Sequence, residues 1–184
     1  MSAVDFSAFV HRLADVAGEA SLPFFRTAIG AADKNAGGVF DPVTEADKAA
    51  EAAMRRLIGA QFPGHGIVGE EFGAQDRAAE YVWTLDPIDG TRAFLCGLPL
   101  WGTLIGLGRH GAPVYGMMAQ PFTRERFYGD GLRADWRGPG GDGATVERRL
   151  AERPCAALAE ATVMTTSPHL FAGAEAAAFA RVAQ

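Results

Sequence analysis

The sequence predicts an α+β protein in which two amphipathic helices precede a mostly antiparallel sheet. Apolar residues recur at three- and four-residue steps through roughly the first third of the chain, the period of a helix with one buried face. Beyond it the pattern changes to short apolar segments bounded by turn residues, which is the pattern of strands. A hairpin turn, Arg109-His110-Gly111-Ala112, joins two of those segments and makes them antiparallel neighbours.

In chain order, residues 5–29 predict a first helix with Phe6, Phe9, Val10, Leu13, Val16, Ala17 and Ala20 on its apolar face. Residues 31–42 read as a Gly-containing loop. Thr44 has the chemistry of an N-cap, and Asp47 stands three residues on, where a capping-box acid belongs. The helix that follows buries Ala50, Ala53, Met54, Leu57, Ile58 and Phe62 and stops at Pro63-Gly64. Strands are predicted over 65–69, 81–85, 103–108, 114–119 and 126–128. Residues 133–143, rich in Gly and charge, predict a loop near a domain boundary. A strand at 162–166 and an Ala-rich helix from 172 to the end then have nothing after them to pack against. The expected organisation is an N-terminal α+β domain over 1–150 and, over 151–184, the beginning of a C-terminal α/β domain.

With 48% hydrophobic and 21% charged residues, the chain has the make-up of an ordinary globular protein. Its net charge of -5 and the lack of a basic stripe exclude nucleic acid as an expected partner. No apolar run approaches the ~20 residues that span a bilayer, and no basic-then-apolar leader opens the chain. A cytoplasmic protein without a membrane partner is expected. Cys96 and Cys155 make no disulfide framework and have no metal-ligand spacing, so they are expected as small buried or half-buried thiols. The four histidines likewise have no ligand spacing.

Three separated segments carry acids where acids are not expected: Asp41-Pro42-Val43-Thr44-Glu45-Ala46-Asp47, Val68-Gly69-Glu70-Glu71, and Trp83-Thr84-Leu85-Asp86-Pro87-Ile88-Asp89-Gly90-Thr91. In the third, a strand end delivers Asp86, Pro87 stiffens the backbone and removes a donor, Ile88 offers its carbonyl, and Asp89 adds a second carboxylate. Such close oxygen donors suit Mg²⁺, which keeps positions for water and substrate phosphate. Gly90-Thr91 opens a short helix over 92–96 whose free N–H groups and positive dipole end suit an anion. Two metals sharing a carboxylate can activate water and stabilise the leaving oxygen of an in-line displacement. Singly, each acid has a plainer role: Asp47 as a helix cap, Glu70 and Glu71 as a solvated strand end, Asp86 and Asp89 as turn formers. Together, their order and spacing point to one chemistry.

That pattern, Asp41-x-Val43-Thr44-x-x-Asp47, Gly69-Glu70-Glu71 and Trp83-x-x-Asp86-Pro87-Ile88-Asp89-Gly90-Thr91-x-x-Phe94, resembles the inositol monophosphatase family of lithium-sensitive, Mg²⁺-dependent phosphatases. The resemblance runs from about residue 5 to residue 184. It implies a sugar-phosphatase-like layered αβαβα fold and a phosphoric monoester hydrolase for a small phosphorylated metabolite. It implies metal ligation by Glu70, Asp86, the Ile88 carbonyl and Asp89, with Asp86 bridging two ions. Thr91, Asp47 and Glu70 take catalytic roles in this reading, Thr91 being oriented by Asp47 to position the attacking water. The N–H groups of Gly90 and Thr91 would hold the phosphate. Glu71 is implied one step further out, beside the metal's waters, and Lys34 near the site. Dimers are common in the family, which leaves room for a homodimer.

The run Gly97-Leu98-Pro99-Leu100-Trp101-Gly102-Thr103-Leu104-Ile105 resembles the histidinol-phosphate phosphatase branch of that family, as do Gln120-Pro121-Phe122 and parts of 153–171. This implies hydrolysis of L-histidinol phosphate to L-histidinol in histidine biosynthesis. Inositol-1-phosphate and other sugar or nucleotide phosphates are the alternative substrates. A catalytically silent phosphate- or metal-binding fragment is the alternative of another class. Phe94 and Trp101 are expected as core residues. The family closes with a second domain that supplies a further acid, whereas over 162–184 the only acid is Glu175. The chain is therefore expected to be a fragment one carboxylate short of a whole site.

Overall fold

The computed structural model describes residues 6–33, 42–165 and 167–183. These fall into two compact units, Met1–Leu150 and Ala151–Gln184. The first unit opens with α1 (Phe6–Ser21), followed by two short paired strands, β1 (Ala32–Asp33) and β2 (Pro42–Val43), and by α2 (Glu45–Gln61). Then come β3 (Gly66–Gly69), β4 (Gly73–Gln75), β5 (Tyr81–Asp89), the one-turn α3 (Thr91–Leu95), β6 (Gly102–Arg109), β7 (Ala112–Gln120), β8 (Glu125–Gly129), β9 (Ala134–Pro139) and β10 (Thr145–Arg149). The last eight strands form one sheet ordered β10-β9-β8-β7-β6-β5-β3-β4. Its β3–β5 pair is parallel and every other ladder is antiparallel. The predicted α+β class, with helices first and a mostly antiparallel sheet after them, is what forms.

Both helices pack on each other and on one face of this sheet. Val10, Leu13 and Ala17 of α1 meet Ala50, Met54 and Ile58 of α2 over Ile67, Trp83, Leu85, Ile105, Leu107 and Met117. The sheet residues are alternate ones because successive strand side chains point to opposite faces. The helix α2 starts where the capping box predicts. Thr44 Oγ1 accepts the N–H groups of Ala46 and Asp47, and Asp47 accepts the Thr44 N–H at 2.8 Å, an arrangement worth about 1 kcal/mol. The β6–β7 turn has positive φ at both His110 and Gly111, matching the right-handed twist of the strands it joins.

Several expectations are corrected. The first helix ends at Ser21 rather than near 29, and Leu22–Phe24 is a 3-10 turn. Pro23 explains this: it has no N–H to continue the ladder and its ring clashes with the preceding turn. Within the span 133–143 expected as loop, Ala134–Pro139 is strand β9, and the Gly-rich turn after it leads into β10. The strand was hidden by its Gly and Arg content. Its fit to the sheet comes from Trp136, which donates to Glu125 at 3.0 Å and lies under the Arg148 guanidinium. Cys96 and Cys155 are exposed rather than buried, because neither lies on a core-facing element.

In the second unit, α4 (Gly173–Val182) forms as expected, and Phe179 stacks on Phe171 at 4.9 Å. The strand predicted at 162–166 does not form over its described residues, 162–165. A strand needs a neighbour for its N–H and C=O groups, and among the described residues none pairs with it. No helix of the described residues is long and apolar enough to cross a membrane.

His65 joins the two layers. Its ring stacks on Phe62 and Tyr81, and its Nδ1 accepts the Trp83 indole N–H at 3.1 Å. Burial holds its pKa below the ordinary imidazole range. The unfolded chain therefore takes up the proton first, so this stabilisation is complete above about pH 6.5 and is lost as pH falls toward the folded value. Urea midpoints of His65→Phe, measured against those of the unsubstituted chain, should improve as pH falls from about 7 to about 5, because the variant lacks this loss. An equal pH slope in the variant would contradict the assignment.

Candidate active site

Strand register builds the site. The parallel pairing of β3 with β5 sets Gly69 opposite Leu85, and the ladder continues one residue further through Glu70 N–H to Leu85 C=O at 3.2 Å. Glu70 is thereby placed beside Asp86 at the carboxyl ends of two parallel strands, the usual position for a ligand crevice. Asp86 and Asp89 lie three residues apart, and in a regular strand they would point to opposite faces. The register of β5 against β6 shifts between them: Asp86 pairs with Leu104 and Asp89 with Gly102. One extra residue on β5 makes a bulge, which corrects the parity. Pro87, with no donor to lose, sits in the bulge, and Thr103 Oγ1 donates to its carbonyl at 2.9 Å.

The resulting electrostatics are severe. Burial first, then the charge of Glu70, then a hydrogen bond to Glu70, then the charges of Asp89 and Asp47 push the Asp86 carboxyl up to about 8. A hydrogen bond that raises an acid's pKa favours its neutral form, so the protonated Asp86 donates to Glu70. Asp86 Oδ1 is buried with no hydrogen-bond partner. Glu70 and Asp89 are exposed, and Asp47 is 3% exposed.

Beyond Asp89 the chain turns through Gly90 at φ 88°, where a Cβ would sit 2.8 Å from the Leu100 carbonyl. Only glycine takes that conformation and that approach at low cost. Thr91 follows, and its hydroxyl donates to Ile88 C=O at 3.0 Å. Trp101, 3% exposed, backs this turn and meets Phe94 edge-on at 4.8 Å; both are core residues, as expected. The short helix predicted at 92–96 begins one residue earlier, as α3.

The structure thus brings Glu70, Asp86, Asp89 and Asp47 into one electrostatic group, with Ile88, Gly90 and Thr91 on the adjoining turn. Asp47 bonds Thr44, and Thr91 bonds the Ile88 carbonyl. Glu71 is half-buried, with its N–H given to Glu51 at 2.7 Å. Lys34 and Asp41 lie outside the described residues. Two contributors escaped the sequence reading. Glu51 is fully buried, and its signal was an acid one turn after Asp47 on the core side of α2. Thr103, also fully buried, was hidden within an apolar run. A separate cavity of about 650 Å³, lined among others by His11, Tyr128, Arg133 and Glu147, contains none of these acids.

The donor set is all oxygen: carboxylates, one carbonyl and a hydroxyl. No group of three His, Cys, Asp or Glu side chains among the described residues forms a metal cage by itself. Mg²⁺ does not need one, since it takes one or two carboxylates and fills its octahedron with water and phosphate. The buried, unpartnered Asp86 oxygen and the crowding of like charges fit such a cation.

A layered α+β fold with clustered acids at paired strand ends defines a class, and comparison with known proteins assigns it. The chain belongs to the inositol monophosphatase family, whose model matches residues 4–177. It is 40% identical over 180 residues to the chloroplastic bifunctional phosphatase IMPL2 of Arabidopsis thaliana, covering 96% of this chain and 49% of that protein. It is 41% identical over 87 residues to a histidinol-phosphatase of Mycobacterium tuberculosis, covering 47% of this chain and 34% of that one. The inositol monophosphatase from Zymomonas mobilis superposes with a TM-score of 0.75 at 37% identity, over 98% of this chain and 66% of that structure. The chain spans about half the length of the first of these relatives, or less in the second.

The sign of the Asp86 effect is testable without ligand. Its folded pKa lies above the unfolded one, so the folded chain holds more protons between about pH 4 and about pH 8, and stability declines as pH rises through that window. In EDTA, Asp86→Asn should unfold at a higher temperature than the unsubstituted chain near pH 8, with the difference shrinking toward pH 4. A variant less stable at pH 8 would contradict the crowding.

Proposed function

We propose that the whole protein is a Mg²⁺-dependent phosphomonoesterase that hydrolyses L-histidinol phosphate to L-histidinol. The observation that carries the metal part is the buried Asp86 Oδ1, unpartnered and surrounded by Glu70, Asp89 and Asp47. The substrate rests on the run 97–105 and on similarity to proteins named histidinol-phosphatase.

Glu70, Asp86, Asp89 and the Ile88 carbonyl would hold the metal. When bound, Mg²⁺ supplies Lewis-acid polarisation of the phosphate and lowers the pKa of water. Thr91 orients the attacking water. Its hydroxyl hydrogen is committed to Ile88 C=O, which leaves its lone pairs to accept a hydrogen bond from that water. Asp47, held by the Thr44 cap, places a carboxylate within Coulombic range of Asp86 beside this turn. The Gly90 and Thr91 N–H groups, at the left-handed Gly90, would hold the phosphate. Glu71, next to Glu70, would act one step further out, on the metal's waters.

A second reading keeps the site and changes the substrate to inositol-1-phosphate. It is favoured by 37% identity over 123 residues to the inositol-1-monophosphatase ImpA of Mycolicibacterium smegmatis. One panel separates the two. Phosphate release should be Mg²⁺-dependent and faster from histidinol phosphate than from inositol-1-phosphate, and preference for inositol-1-phosphate would move the protein to the second reading. Release from neither, with Mg²⁺ present, would remove both. Thr91→Ala should lower kcat about 10²-fold with little change in KM, as misplacing a reacting group does. A variant with unchanged kcat would remove Thr91 from the reaction.

A further inference from the structure

The turn after β3 rests on a buried carboxylate. Glu51 is fully buried on α2, one helical turn after Asp47. Its Oε2 accepts the Glu71 N–H at 2.7 Å, and its Oε1 accepts the Phe72 N–H at 3.2 Å. The Arg55 Nε, one turn further on, donates to Glu51 Oε1 at 2.7 Å, and the same guanidinium bonds the Gly73 carbonyl. Gly69 leaves no gap above this group: a Cβ there would lie 1.9 Å from Glu51 Oε1. One carboxylate thus clamps two consecutive amides and faces bare backbone, so Glu70, between Gly69 and Glu71, is fixed on both sides.

We infer that Glu51 is a positioning residue for the metal site: its carboxylate, neutralised by Arg55, sets the 69–72 turn and so holds Glu70 against Asp86. Glu51 acts through Glu70 and does not touch the reacting groups. The inference rests on the metal-dependent reading above. The chemistry of the clamp needs both oxygens as acceptors. In Glu51→Gln the amide NH₂ turns a donor toward another donor, and one of the two backbone amides loses its partner. Partners that orient metal ligands typically cost 10- to 100-fold in affinity when removed.

The test uses the full chain and Mg²⁺ alone, read by calorimetry. Glu51→Gln should unfold cooperatively yet bind Mg²⁺ about 10- to 100-fold more weakly, with faster hydrogen exchange at the Glu71 and Phe72 amides. Raised Mg²⁺ should restore occupancy, which a general loss of packing would not allow. Gly69→Ala pushes on the same carboxylate and should weaken Mg²⁺ similarly, with the double variant little worse than either single one. Should Glu51→Gln fail to fold, Gly69→Ala carries the same expectation. A folded variant with unchanged Mg²⁺ affinity, or two losses that add in full, overturns the inference. Mg²⁺ bound by the unsubstituted chain keeps the metal reading in place in that event. No Mg²⁺ binding by the unsubstituted chain overturns the metal reading itself, and this inference with it.

Discussion

The contact between Asp86 and Glu70 is the constraint around which the rest is arranged. Two carboxyl groups meet at the ends of adjacent strands, and Asp86, with a buried oxygen that nothing satisfies, has its carboxyl pushed up to about 8 by burial and by Glu70. Left alone, such a pair drives the strand ends apart, since burial and like charge both disfavour ionisation. It persists because the parallel ladder of β3 with β5 fixes the two backbones, and because the bulge at Pro87 and Ile88 is pinned from below by Thr103. The stable core of helices on sheet carries the cost of an unstable charge arrangement at its rim. That division is common where a site needs stored electrostatic stress.

The helix α2 links the two parts. Its apolar residues, Ala50, Met54 and Ile58, belong to the core, while its first turns carry two buried acids toward the strand ends. Asp47 closes the helix's own capping box and lies within Coulombic range of Asp86. Glu51 binds the turn that bears Glu70. One helix therefore helps set both the charge of the candidate site and the geometry of Glu70.

Much of this was legible in the sequence, and the reasons differ by element. The capping box at Thr44 and Asp47 and the Asp86-to-Thr91 turn are local, so their chemistry is written in adjacent residues. The apolar period of the first helix stops at Ala20, and Pro23 ends the ladder that the predicted span of 5–29 would continue. Strand β9 was missed because its Gly and Arg residues suit a loop, and only its neighbours on either side make it a strand. The parity of Asp86 and Asp89 could not be read without the partner strand, since a bulge exists only relative to a ladder. Glu51 was overlooked because an acid on a helix is ordinarily solvated, and its partners lie about 20 residues away in sequence.

The central claim is that the crowded carboxylates around Asp86 are built to be relieved by a cation. Ligand carboxylates must lose their protons to bind a metal, so binding and deprotonation are linked. Calorimetric Mg²⁺ titrations near neutral pH, repeated in buffers of different ionisation enthalpy, count the protons released. Release approaching one proton per chain near pH 7, and falling away above the raised Asp86 value, is the predicted result. Mg²⁺ binding with no proton released at neutral pH would contradict the account.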